Sequence, residues 1–407
     1  MQGVDMRAGM HWVRTLGSAL VLGMVSGCDQ APGGATTGPS LVSDPSVNSA
    51  CDHELSDGLS MGPDGVRIAY YQAGRPPCDA PTLVMLHGWP DNHHVFDAVV
   101  DELADRYHIL RYDLRGAGGS DAPPADLGHY RFQRQVDDLR ALVDHLGIDR
   151  FHLVGHDWGG AIGYEATVTP DVRERILSFT NVSGPSVDHV AQGFTPEHFD
   201  AEAPGAYLYM AHIWYIPVLM APMLPELLAD AGLTSFLVQL QYALDDGDYN
   251  RAQFSDHQWS NLANLYRENI PERSQAPTFS RVTELPLMQA VMPIDDTYVP
   301  PYYWDGKEHF HDRMWKRPVD GGHWVHTADP AGLVRAIDEA VAWTEQGIAP
   351  GDDVRVFVNG EQVAGDTTLI GNFQTPDGRR CSFGLVAFDP AGGMPLRSRY
   401  RPRACLG

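Results

Sequence analysis

The stretch Leu153-Val154-Gly155-His156-Asp157-Trp158-Gly159-Gly160-Ala161-Ile162-Gly163 decides how the rest of the chain is read. The apolar run Phe151-His152-Leu153-Val154 leads into it, and a helix-like Ala/Ile/Gly/Tyr segment follows. Glycines at 155, 159 and 160 surround one carboxylate. A strand that turns abruptly into a helix needs small neighbours, so the pattern predicts a tight turn with Asp157 at its apex.

Around this turn the chain alternates two kinds of segment. VRIAYYQAG (from Val66), PTLVMLHG and HILRYDLRG read as strands, and Phe96 to Arg106 as a helix. Phe132 to Leu146 reads as a helix with Val136, Leu139, Leu142, Val143 and Leu146 apolar. Strands alternating with helices imply an α/β domain whose mostly parallel sheet is covered on both faces, with its site at the carboxyl ends of the strands. The chain has 407 residues, 43% hydrophobic and 20% charged, which suits a globular protein with a large core. Its formal charge of −24 repels phosphate and argues against nucleic-acid binding. No P-loop or dinucleotide fingerprint is present, and no metal or cofactor is expected.

Three further segments carry chemistry. His87-Gly88-Trp89-Pro90 ends a strand and is placed to supply a backbone N–H, from Trp89, to an oxyanion hole; Trp158 supplies the second. The stretch Met288 to Pro301 gives a strand and then Asp295-Asp296, and Gly321-Gly322-His323-Trp324 follows. The order is nucleophile, acid, histidine, with Asp296 orienting His323. Asp295 is a rival acid and His326 a rival base. Asp113 and Ser120, in the loop Arg111 to Pro123, are read as shaping the loop rather than doing chemistry.

With these motifs in place, residues 60 to 347 resemble the α/β-hydrolase-fold epoxide hydrolases, relatives of the haloalkane dehalogenases. His87-Gly88-Trp89-Pro90, Gly155-His156-Asp157-Trp158-Gly159-Gly160 and Gly322-His323-Trp324 carry the resemblance. It implies an α/β-hydrolase core (51–187 and 285–347) and a helical cap (188–284). Chemistry explains the carboxylate. A Ser attacking an alkyl carbon leaves an ether, which water does not readily cleave, whereas Asp157 leaves an ester and is already ionised. His323 is then free to activate the water that cleaves it. In the cap, Met223 to Leu228 and Leu265 to Asn269 resemble the segments that hold two acid tyrosines, implying Tyr215 and Tyr266, with Tyr207 and Tyr209 as rivals for the first. The implied substrate is a small, apolar epoxide, and water is the second reactant. Trp89 stands where many haloalkane dehalogenases carry a halide-binding Asn, which weakens that alternative.

The two ends point outward. Arg7 and Arg14 precede the short apolar run Leu16 to Val25, and Val25-Ser26-Gly27-Cys28 resembles a bacterial lipobox. The expectation is a signal peptide (1–27), a lipidated Cys28 that anchors the protein to a membrane of the cell envelope, and a flexible tether (28–50). Asp29 resembles a signal for retention at the inner membrane, on its periplasmic face. The other four cysteines, Cys51, Cys78, Cys381 and Cys405, suit two disulfides; three pairings are possible, and local closure favours Cys51–Cys78 and Cys381–Cys405. Residues 350–407 carry Asn359-Gly360, a hairpin signal, and read as a small disulfide-closed β-appendage beyond the core.

Overall fold

The computed structural model describes residues 55–125, 128–188, 212–245, 255–278, 282 and 284–365, together with strands at 370–374, 380–384 and 401–406. The expected leader, Cys28, the tether, Cys51, Tyr207 and Tyr209 lie outside the described residues.

The core is one ten-stranded sheet in the order β1-β2-β4-β3-β5-β6-β7-β8-β9-β10. Its strands are β1 (Gly58–Met61), β2 (Arg67–Gly74), β3 (Thr82–Leu86), β4 (His108–Tyr112), β5 (Phe151–His156), β6 (Ile176–Val182), β7 (Met288–Pro293), β8 (Arg313–Val319), β9 (Arg355–Val358) and β10 (Glu361–Ala364). From β4 to β8 neighbouring strands run parallel, while β1, β2, β9 and β10 pair antiparallel at the two edges. β3, β5 and β7 are buried along their whole length. That explains why they read as unbroken apolar runs rather than alternating ones: both faces are covered by helices. The covering helices include α1 (Asp97–Leu103), α2 (Phe132–His145), α3 (Trp158–Val168) and, further along the chain, the helix Pro330–Gln346.

The sequence reading passed over β6 and β8. β8 holds Lys316, Arg317 and Pro318, which hide its strand character. Burial is possible there because Lys316 pairs with Glu308 (2.5 Å) and Arg317 with Glu339 (2.5 Å).

One boundary needs correction. The hairpin at Asn359-Gly360 forms, with both residues at positive φ, but it does not stand apart. β9 pairs with β8 and extends the main sheet, because Val356 and Phe357 find buried positions against it. Among the described residues, strands Ile370–Gln374, Arg380–Gly384 and Arg401–Leu406 make a second, three-stranded antiparallel sheet. Its register sets Cys381 directly opposite Cys405. Cys78 is disulfide-bonded.

Between β6 and β7 the chain leaves the sheet to form the cap. Its described helices are Ile216–Met220, Leu224–Asp230, Thr234–Leu244 and Asp256–Gln275. Ser255 caps the last of these, accepting the Gln258 N–H. Arg267 joins the cap segments: it holds Glu226 through two nitrogens, at 2.5 and 3.0 Å, and donates to the carbonyls of Leu219 and Ala221. Glu268 and Asn269 accept the backbone N–H groups of Tyr130 and Phe132, which fastens this cap helix to the core.

Candidate active site

Asp157 sits between β5 and α3 at φ 52°, ψ −121°, a conformation that costs a residue with a Cβ about 1–3 kcal/mol. The turn closes only because its neighbours are small. A Cβ on Gly159 would lie 2.2 Å from the Leu86 carbonyl oxygen, and one on Gly155 would lie 2.4 Å from that of Gly159. The strain lifts the Asp157 carboxylate clear of the strand and into a cavity of about 70 Å³.

Three loops at the carboxyl ends of β3, β7 and β8 bring partners to it. After β3, the Trp89 N–H donates to Asp157 Oδ1 at 2.7 Å. The loop is braced by His87, whose Nε2 accepts the Leu114 N–H, and Trp89-Pro90 is a cis peptide. Gln258 of the cap donates to the carbonyls of Pro90 and Asp91 at 2.6 and 2.7 Å, a brace that the sequence did not disclose. Trp158, the first residue of α3, lines the cavity, and its N–H belongs to the first turn, where no intrahelical partner exists.

After β7, the acid that reaches His323 is Asp296, not Asp295. Its carboxylate oxygens lie 3.1 and 3.2 Å from His323 Nδ1. Asp296 Oδ1 also accepts the N–H groups of Tyr298 and Val299 at 2.8 Å each. After β8, His323 turns its other nitrogen to Asp157, with Nε2 3.7 Å from Oδ2. Burial alone would strip the proton from His323. The charge of Asp296 and the contact with Asp157 outweigh it and hold the imidazolium well above the ordinary histidine range. Asp296 is correspondingly held down: burial opposes its charge, but the His323 cation and the donated hydrogen bonds prevail. His326, the rival base, packs against Phe96 and His156 instead of facing the cavity.

The cap closes the site with aromatic rings. Tyr215 and Tyr266 line the same cavity as Asp157. Their ring centroids are 6.1 Å apart, and both rings pack on Trp89, at 5.9 and 5.8 Å. Burial, reinforced by the Asp157 charge, pushes both phenols well above the usual tyrosine value, so both remain proton donors. Tyr298 completes the wall, 5.0 Å from the His323 ring; its position two residues after Asp296 was the available signal, unused in the sequence reading. The rest of the lining is largely apolar, including Ile213, Ile216 and Ile270.

Asp113 stays out of the cavity. It accepts from the backbone and ring of His93 and from the Gly119 N–H, while Ser120 bonds the Asp113 carbonyl and the Ala69 N–H.

Residues 81–330 match the alpha/beta hydrolase fold family. Over 292 residues the chain is 30% identical to the probable oxidoreductase EphD of Mycobacterium tuberculosis, covering 69% of this chain and 48% of that protein. It is 31% identical over 170 residues to epoxide hydrolase 3 of Xenopus tropicalis, 42% of each chain. The chain therefore spans about half the length, or less, of these curated relatives. Among solved structures, one described as a novel epoxide hydrolase from metagenomes of hot environments superposes with a TM-score of 0.57 at 22% identity, over 73% of this chain and 100% of the other. At that identity the likeness concerns the fold.

Proposed function

The chain belongs to the alpha/beta hydrolase fold family, and from that premise we propose that it opens small apolar epoxides to vicinal diols. Relatives named as epoxide hydrolases support this reading. The observation that carries it is a pair of tyrosines, buried Tyr266 and partly buried Tyr215, that line one cavity with an aspartate at the strand-to-helix turn.

In the proposed reaction an Asp157 oxygen attacks an epoxide carbon, and the C–O bond of the ring breaks. The leaving oxygen takes a proton from Tyr215 or Tyr266, so no free alkoxide is released. A halide leaving group has no such need, which is why the tyrosine pair favours an epoxide over a haloalkane. Ester formation neutralises Asp157. One of the two anions that hold the proton on His323 is then gone; that proton returns to the tyrosinate and restores the phenol, and the neutral ring becomes the base that takes a proton from water. Water attacks the ester carbonyl, the oxyanion is held at the Trp89 and Trp158 N–H groups, and diol leaves with Asp157 restored.

The test mixes the purified chain with a panel of terminal epoxides and, separately, bromoalkanes, measuring diol and bromide, with Asp157→Asn as the control. Diol formation that the control abolishes supports the proposal. Bromide release without diol supports a haloalkane dehalogenase, and neither product supports a non-catalytic binding role. The location proposed with it is the cell envelope, through a lipid on Cys28. Radiolabelled fatty acid entering the wild-type chain but not Cys28→Ser supports it; equal labelling refutes it.

A further inference from the structure

Behind the catalytic dyad lies a second cluster that the proposed chemistry does not use. Asp91 stands two residues past Trp89, His156 is the last residue of β5, directly before Asp157, and His326 follows His323 by three positions. All three are buried, and one ligand atom from each lies within 4.8 Å of the others. None lines the cavity over Asp157.

The orientation of the donors is specific. His156 Nε2 lies 3.0 Å from the His323 carbonyl oxygen. A carbonyl only accepts, so Nε2 carries the proton and Nδ1 presents a bare lone pair. That Nδ1 has no hydrogen-bond partner among the described residues, and neither nitrogen of His326 has one. His156 Nδ1 lies 3.9 Å from Asp91 Oδ2, and the rings of His156 and His326 are 4.3 Å apart. Asp91 is itself oriented: Oδ1 accepts the Tyr242 hydroxyl and Oδ2 the Trp324 Nε1–H at 3.0 Å, leaving a lone pair on Oδ2. An imidazole that donates its far N–H to a carbonyl, beside a carboxylate fixed by outer donors, is the arrangement that surrounds metal ligands.

We propose that Asp91, His156 and His326 bind one divalent cation of the zinc class. Two imidazole nitrogens and one carboxylate suit zinc or cobalt, whereas calcium and magnesium require oxygen ligands. Tetrahedral bonds of about 2.0–2.1 Å put ligand atoms about 3.3 Å apart, so the 3.9 Å pair closes by well under 1 Å. The ion would tie together the three segments that carry Trp89, Asp157 and His323, as a positioning element that touches no substrate.

The test is binding, and it holds whatever the substrate proves to be. The full chain is stripped with chelator and titrated with Zn²⁺ by calorimetry and with Co²⁺ by visible absorption. One equivalent of each is expected, with cobalt bands of a low-coordinate nitrogen/oxygen site and a raised melting temperature in zinc. His326→Gln and Asp91→Asn should each weaken binding at least tenfold. No saturable binding, or binding that both variants leave unchanged, overturns the proposal. If neither variant folds, the wild-type cobalt spectrum decides: a featureless trace at one equivalent refutes the site.

Discussion

Replacing His323 by Gln separates the two proposed chemical steps. The ring stands 3.7 Å from Asp157 through Nε2 and 3.1 Å from Asp296 through Nδ1. Gln is neutral and fits the space, so Asp157 keeps its charge and its hydrogen bond from Trp89. Attack on an epoxide should continue. Hydrolysis should not, because the proposed base for water is gone. Loss of a general base costs about 10²–10⁴-fold in rate, or about 3–5 kcal/mol of barrier. Ester formation then outruns its cleavage, and the protein accumulates as a covalent adduct. The assay mixes the variant with excess aryl-substituted terminal epoxide and follows intact mass. We expect a gain of one substrate mass, mapped to Asp157 by peptide sequencing, and a single equivalent of epoxide consumed before turnover stalls. Diol formation at the wild-type rate would refute the role of His323. Loss of diol with no adduct at any time would refute the ester intermediate.

Three further outcomes follow from the same geometry. Tyr266→Phe and Tyr215→Phe should each slow epoxide turnover, and the double variant should lose about 10²–10⁴-fold; stopped-flow epoxide consumption unchanged in the double variant would remove the tyrosines from the mechanism. Gly159→Ala should destabilise the fold by at least about 1–3 kcal/mol, because the new methyl meets the Leu86 carbonyl at 2.2 Å and backbone cannot rotate away; an unchanged denaturation midpoint would show that the turn is looser than described. Asp113 contributes to acid stability. Burial opposes its charge, yet His93, His87 and the Gly119 N–H hold its carboxyl down to about 2. A depressed carboxyl contributes stability above its unfolded value near 3.9 and loses it as pH falls toward 2, so Asp113→Asn should flatten that acid limb by about 2 kcal/mol in urea titrations.

The strand-to-helix turn was legible because its demands are local. Only glycines fit at 155 and 159, and a carboxylate at the apex has a chemical meaning whatever surrounds it. The same holds for the parallel strands, whose double-sided burial writes unbroken apolar runs. Local spacing also marked Asn359-Gly360 as a hairpin. Where that hairpin docks depends on the edge that β8 leaves open, and no residue in the hairpin states it. β8 itself was hidden because its buried Lys316 and Arg317 are acceptable only beside Glu308 and Glu339.

The sequence by itself determined the class of fold, the carboxylate at the apex of the strand-to-helix turn, and, as candidates, the acid and histidine that follow it in order and the two cap tyrosines. The tertiary structure decided between Asp296 and Asp295, because the turn after β7 sets the Asp296 carboxylate against His323 Nδ1. It set His326 behind the site, against Phe96 and His156, although its spacing from His323 made it a rival base. It also brought Gln258, Tyr298 and the Asp91-His156-His326 cluster into place. Each of these joins segments far apart in the chain. Spacing along a sequence encodes neighbours on one strand or helix, whereas contacts between loops exist only once the sheet has fixed the ends of its strands.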